Sequence, residues 1–220
     1  MDFVSSINFL DWMFILKGAG LTIFLCIISM LFGSLIGLGT GIMRSSRNVL
    51  FYGPAWIYIF VIRGTPLLMQ LFLVYFGVPL ITGHAIGAFA TALVGLALYA
   101  GAYLGEIVKA GIQSVDIGQK EAAKALGMNF WQEFRHIVFP QAMRVIVQPA
   151  FGFFIALVKD SSLVSIIGFV ELARAGRLVI ARTFQPFVVY GAVALIYFAI
   201  CFGLSRLSYS RIFAGKADLS

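Results

Sequence analysis

The chain has 220 residues, of which 61% are apolar and only 11% charged, and its formal net charge is +7. Aqueous domains carry about one quarter charged residues, so this composition excludes an ordinary soluble globular protein and points to the membrane. The apolar residues form blocks able to cross about 30 Å of hydrocarbon, and no stripe of Lys and Arg with interleaved exposed aromatics argues for nucleic acid, so the positive charge marks cytoplasmic loops.

The first apolar block follows an acidic start with Asp2 and Asp11. It is longer than a signal-peptide core and no small-residue cleavage site closes it early, so it reads as a retained membrane helix. Span one is predicted over residues 18–43 and ends at Arg44-Ser-Ser-Arg47. Gly33, Gly37 and Gly41 stack on one face of it, and Gly101 and Gly105 repeat the spacing in span three. Such stripes permit close backbone approach. Packing within the chain is the plainer reading, and a subunit interface is the other.

Span two covers residues 51–80 and contains Arg63-Gly64-Thr65-Pro66. Proline lacks an N–H and disfavours helix in the residue before it. Residues 51–62 are therefore expected as a shallow segment, with the deeper crossing starting near Thr65. Span three is predicted over 85–108, span four over 145–167 and span five over 187–207. Cys26 and Cys201 sit in separate apolar runs and read as small buried hydrophobes. His84 and His136 are too few and too far apart for a metal site, so none is expected.

Five crossings put the termini on opposite sides. Arg44, Arg47, Lys109, Lys120, Lys124, Arg135, Arg144, Arg206, Arg211 and Lys216 fall on one side, and Lys17, Arg174, Arg177 and Arg182 on the other. That asymmetry predicts an outward N-terminus and a cytoplasmic C-terminus. Residues 109–144 are then cytoplasmic and form the natural docking surface for a soluble partner.

Within that stretch, residues 121–126 favour helix, Gly127 can end it at positive φ, and Asn129 can cap the next helix. Trp131, Phe134 and Val138 recur at helical spacing, and Pro140 is expected to break the chain before span four. Two short helices around a glycine turn result. On the residues alone they serve either as a partner contact or as an interfacial anchor.

Ionisable residues at membrane depth are costly and tend to face a protein interior or a water path. Lys159, Asp160, Ser161 and Ser162 lie within span four, and Arg63 and Thr65 within span two. Asp160 can meet an ammonium and Arg63 can offer a fork to a carboxylate. Alternatively, they form a structural polar network, with Arg63 satisfying carbonyls freed at the broken helix. Glu171, Arg174 and Arg177 lie just beyond span four and suit contact with an external protein, or a solvated face. The chain lacks the Gly-x4-Gly-Lys-Ser/Thr phosphate loop of an ATPase and has no credible acid pair or Ser-His-Asp set, so it is not expected to be an enzyme.

Glu121-Ala122-Ala123, Gly127, Ile137 and Pro140 resemble the signature of binding-protein-dependent ABC transporter permeases, with Phe139 where Leu usually precedes the proline. Arg63-Gly64-Thr65-Pro66-Leu67, Lys159-Asp160-Ser161-Ser162-Leu163, Glu171-Leu172 and Ala194-Leu195-Ile196-Tyr197 resemble the polar amino-acid branch. The resemblance spans essentially the whole chain. It implies an all-α, five-span type I importer permease fold, with residues 1–220 as one domain and 109–144 as its coupling region. It implies a multi-pass protein of the bacterial inner membrane that takes up a polar amino acid. The implied partners are an ATPase dimer carrying ATP and Mg, an extracytoplasmic binding protein, and a second copy or a related permease. In the family the loop docks in a cleft of the ATPase, which places coupling on Glu121, Ala122, Ala123 and Gly127. The alternative is a secondary amino-acid transporter, driven by an ion gradient, or another small-solute membrane permease without an ATPase partner.

Overall fold

The structure, a computed structural model, describes residues 6–46 and 48–217, with side chains as far as residue 208. Arg47 and the side chains of Arg211 and Lys216, used above for orientation, lie outside the described residues, as does Asp2. The described chain is helical throughout. In order it runs α1 (Phe9–Arg44), α2 (Val49–Gly64), α3 (Leu67–Phe72), a π-turn (Leu73–Gly77) and α4 (Val78–Thr82). It continues with α5 (Ala88–Gln113), α6 (Ile117–Ala125), α7 (Phe130–Glu133), a second π-turn (Phe134–Val138) and α8 (Phe139–Asp160). A 3-10 turn (Ser161–Ser165), α9 (Leu172–Thr183) and α10 (Pro186–Ala217) complete it.

Among the described residues, four segments are long and apolar enough to cross a membrane: Phe9–Arg44, Ala88–Gln113, Phe130–Ser165 and Pro186–Ser208. Val49–Gly64 and Leu67–Thr82 make a fifth if this pair, bent by 108°, is one broken span. The bend falls where the sequence predicts it. Thr65 is extended at φ −120° and ψ 147°, and Pro66 follows without an amide to continue the ladder.

Packing divides the chain into two compact units, Met1–Ser29 with Pro66–Leu96 and Phe154–Ser220, and Met30–Thr65 with Ala97–Phe153. In the second unit the glycine stripe of α1 meets α5. A Cβ on Gly33, Gly37 or Gly41 would lie 2.5 Å from Ala100, Leu104 or Val108 respectively. From the other side, a Cβ on Gly101 would lie 2.5 Å from Ile36, and one on Gly105 2.6 Å from Thr40. The stripes are therefore used within the chain. In lipid such close contact supplies attraction that the hydrophobic effect does not.

In the first unit α9 forms an additional helix between the predicted spans four and five. It buries Leu172, Ala175, Gly176, Val179 and Thr183 at three- and four-residue spacing. Gly18 of α1 approaches Ala175, where a Cβ would lie 2.8 Å away, and Gly176 approaches Val193 of α10, at 2.7 Å. Asp11 pairs with Arg182, which ties the first turn of α1 to the last turn of α9.

Pro140 does not break the chain, contrary to expectation: the helix runs on from α7 through α8. The π-turn at Phe134–Val138 is the reason. Its widened ladder lets the Phe139 amide reach the Phe134 carbonyl, so the absence of an amide on Pro140 is absorbed within the first turn of α8.

Candidate functional site

Residues 109–144 hold the first candidate site. Asp116 caps α6, its Oδ1 accepting the Gly118 amide at 2.7 Å. At the other end, the Leu126, Gly127 and Met128 amides donate to Ala122, Lys124 and Ala123, and Gly127 takes φ +75°. This glycine-terminated end leaves few orphan carbonyls. Asn129 then opens α7 with a reciprocal capping box: it accepts from the Gln132 amide at 3.0 Å while Gln132 accepts from the Asn129 amide at 2.9 Å.

Glu121, Ala122, Gly127 and Pro140 are exposed, Ile137 is half-buried, and Ala123 is buried. Ala123 is thus on the packed side of α6 while Glu121 and Ala122 face outward. Leu126, 77% exposed, lines a hollow with Gly127, Met128, Gln132 and His136, and Trp131 is 71% exposed. Large exposed apolar side chains of this kind mark contact with a partner protein or with the membrane surface. The exposure of Leu126 was not anticipated from the sequence.

The second candidate site follows α8. Lys159 is exposed, Asp160 and Ser162 are half-buried, and Ser161 is buried with its hydroxyl donating to the Val158 carbonyl at 2.7 Å. Lys159 and Asp160 take different environments, as neighbours on a helix do. The 3-10 turn at Ser161–Ser165 sets the direction of the serine side chains.

Arg63 and Thr65 belong to the other unit. Arg63 is exposed and its guanidinium lies 5.0 Å from the Tyr103 ring centroid. Tyr103 in turn stacks on Phe153 at 5.0 Å and meets Tyr99 at 4.7 Å. Thr65 returns its hydroxyl to the Val61 carbonyl at 2.8 Å, which satisfies an acceptor left open where α2 ends.

Sequence reasoning missed Glu106. Its carboxylate meets Arg44 at 3.0 Å and Lys109 at 3.6 Å, and Arg44 also lies over the Tyr52 ring. The Glu106–Lys109 spacing was legible as a helical pair. The Arg44 contact, between helices far apart in sequence, was not.

The three residues assigned to an external protein separate. Arg177 is exposed. Arg174 is half-buried and donates to the Ser165 carbonyl at 2.8 Å. Glu171 has no exposed surface. Burial pushes its carboxyl above the usual carboxylate range, against the pull of the Ala173 and Arg174 amides and the Tyr197 hydroxyl. It caps α9 rather than facing outward.

Residues 29–215 match the family described as "Binding-protein-dependent transport system inner membrane component". The probable amino-acid ABC transporter permease protein YckA of Bacillus subtilis (strain 168) is 39% identical over 188 residues, covering 86% of this chain and 83% of the relative. The nopaline transport system permease protein NocM of Agrobacterium fabrum (strain C58 / ATCC 33970) is 39% identical over 196 residues, covering 84% and 81%. A solved structure described as "Crystal structure of an amino acid ABC transporter with histidines" superposes with a TM-score of 0.86 at 36% identity, covering 96% of this chain and 100% of that one.

Proposed function

This chain belongs to the family of binding-protein-dependent transport system inner membrane components, in its amino-acid branch, and from that premise we propose that it imports a polar amino acid on ATP hydrolysed by a separate ATPase dimer. The family's role is transport rather than catalysis, and the fold is a multi-span helical one like that of type I importer permeases. The observation that carries the reading is the exposed turn between α6 and α7, with Gly127 at positive φ and apolar side chains on display.

In this reading residues 1–220 form one permease domain and 109–144 its coupling region. Glu121, Ala122 and Gly127 meet the ATPase, Ala123 fixes α6, and Ile137 and Pro140 carry the movement into α8. ATP and Mg bind the ATPase. Asp160 and Ser162 line the pathway, with Lys159 and the buried Ser161 beside them. An extracytoplasmic binding protein delivers the solute and meets Arg177. A second copy or a related permease completes the pathway, in a bacterial inner membrane. The relatives named for amino acids and nopaline support solutes with an amino-acid head.

Orientation follows from the basic residues: N-terminus outside, C-terminus cytoplasmic, five crossings. Reporter fusions at both termini are expected to place only the C-terminal one in the cytoplasm. A cytoplasmic N-terminal reporter on a functional chain would reverse the assignment.

The function is tested by reconstituting the chain with its ATPase and binding protein in proteoliposomes and offering labelled polar amino acids. Uptake is expected to require ATP inside the ATPase compartment and the binding protein on the opposite side. Uptake by the chain without nucleotide, driven by an ion gradient, would establish a secondary transporter instead.

A further inference from the structure

Glu171 is wholly buried, and both of its carboxylate oxygens are engaged. Oε1 accepts the Arg174 amide at 2.8 Å. Oε2 accepts the Ala173 amide at 2.7 Å and the Tyr197 hydroxyl at 2.9 Å. Next to it, the Leu172 amide donates to Thr22 Oγ1 at 3.1 Å. One turn of backbone is thereby fastened to α10 through Tyr197 and to α1 through Thr22.

The same turn holds the segment before it. Arg174 reaches back from α9 and donates to the Ser165 carbonyl at 2.8 Å, at the end of the 3-10 turn. Between these anchors, Gly168 takes φ +103° and Phe169 packs on Phe89, with ring centroids 5.7 Å apart. The Glu171 amide donates to the Phe169 carbonyl at 3.2 Å. Residues 166–170 are therefore a strap pinned at both ends, and its first anchor is the turn that carries Ser161 and Ser162. A carboxylate that spends two backbone amides and a hydroxyl on one geometry holds it far more firmly than a neutral cap, since hydrogen bonds to a charged acceptor are about twice as strong.

We propose that Glu171 is a positioning residue of the transport pathway: through Tyr197, α9 and Arg174 it fixes the strap and so the orientation of the Ser161–Ser165 turn. The assignment rests on the reading of Asp160–Ser162 as pathway residues given above. It also replaces a surface role for Glu171, because a side chain with no exposed surface cannot recognise a binding protein.

The test uses the whole complex with its ATPase and binding protein in proteoliposomes. Glu171→Ala, Glu171→Gln, Tyr197→Phe and the Glu171→Gln/Tyr197→Phe pair are compared per assembled complex, with Asp160→Asn alongside. Glu171→Ala is expected to lower the maximal uptake rate about tenfold, the size of effect expected from losing charged hydrogen bonds. Glu171→Gln and Tyr197→Phe are expected to lower it less, and the pair by less than the product of the two, because they share one contact. Binding-protein affinity should be unchanged in all. Weaker docking with uptake restored at saturating binding protein would overturn the positioning role in favour of surface contact. Lower yield with normal uptake per complex in Glu171→Gln and Tyr197→Phe would reduce Glu171 to a fold-stabilising residue and equally overturn it. If the Glu171 variants slow uptake while Asp160→Asn leaves it intact, the pathway reading of Asp160 fails and Glu171 positions some other element.

Discussion

Replacing Gly127 with valine is expected to abolish most ATP-driven uptake. Gly127 stands at φ +75° as the left-handed residue that ends α6, and nothing lies within 4 Å of the position a Cβ would take. The obstacle is therefore conformational, not steric crowding by neighbours. A β-branched residue is a true outlier at such φ, with strain of about 1–3 kcal/mol, and 1.4 kcal/mol is already tenfold in an equilibrium. The chain relieves the strain by unwinding the end of α6, and the amides of Leu126, Gly127 and Met128 then lose their carbonyls. The exposed Glu121, Ala122 and Leu126 then lose their placement relative to α7. Co-purification of the ATPase and solute-stimulated hydrolysis in proteoliposomes should fall together by about tenfold or more. Gly127→Asn should keep most activity, since Asn tolerates the left-handed region. Valine and glycine chains with equal assembly, stimulation and uptake would remove the turn from the coupling path.

Asp160→Asn is expected to slow uptake about ten- to a hundredfold per assembled complex. Asp160 is half-buried at the end of α8, directly before the 3-10 turn with Ser161 and Ser162. Meeting the ammonium of an amino acid with an ionised carboxylate is worth about 1.5–3 kcal/mol, which sets that range. Asparagine nearly keeps the volume, so packing should change little. If Asp160 instead compensates a positive charge of the protein, the substitution leaves that charge unpaired and the complex loses stability. Yield and thermal stability in detergent, followed by uptake over a range of solute concentrations, separate the two. A raised half-saturation concentration or a lower maximal rate in a well-assembled complex supports the pathway role. Lost stability with normal uptake by the surviving complex assigns Asp160 to structure.

Local chemistry made much of this chain legible. The blocks of apolar residues mark the membrane segments because crossing about 30 Å of hydrocarbon demands them. Thr65 and Pro66 mark the bend in span two because proline restricts its own residue and the one before it. Gly127 and Asn129 mark the end of one helix and the start of the next because caps are settled by residues adjacent in the chain. Each of these features depends on neighbours within about one turn, or on transfer from water, and both are properties of the sequence itself.

What the sequence left open depended on partners far along the chain. The glycine stripe of α1 was compatible with a subunit interface until Ala100, Leu104 and Val108 were found against it. Glu171 read as a surface charge for the same reason. Its carboxylate is met by the Tyr197 hydroxyl of α10 and the neighbouring Leu172 amide by Thr22 of α1, contacts that neither spacing nor composition signals. The sequence by itself determined the membrane class, the helix ends and the loop chemistry, since these follow from local geometry and solvation. Which glycine faces meet and why Glu171 is inside came from tertiary contact, because a buried polar group or a close approach of backbones is defined by the atoms that surround it.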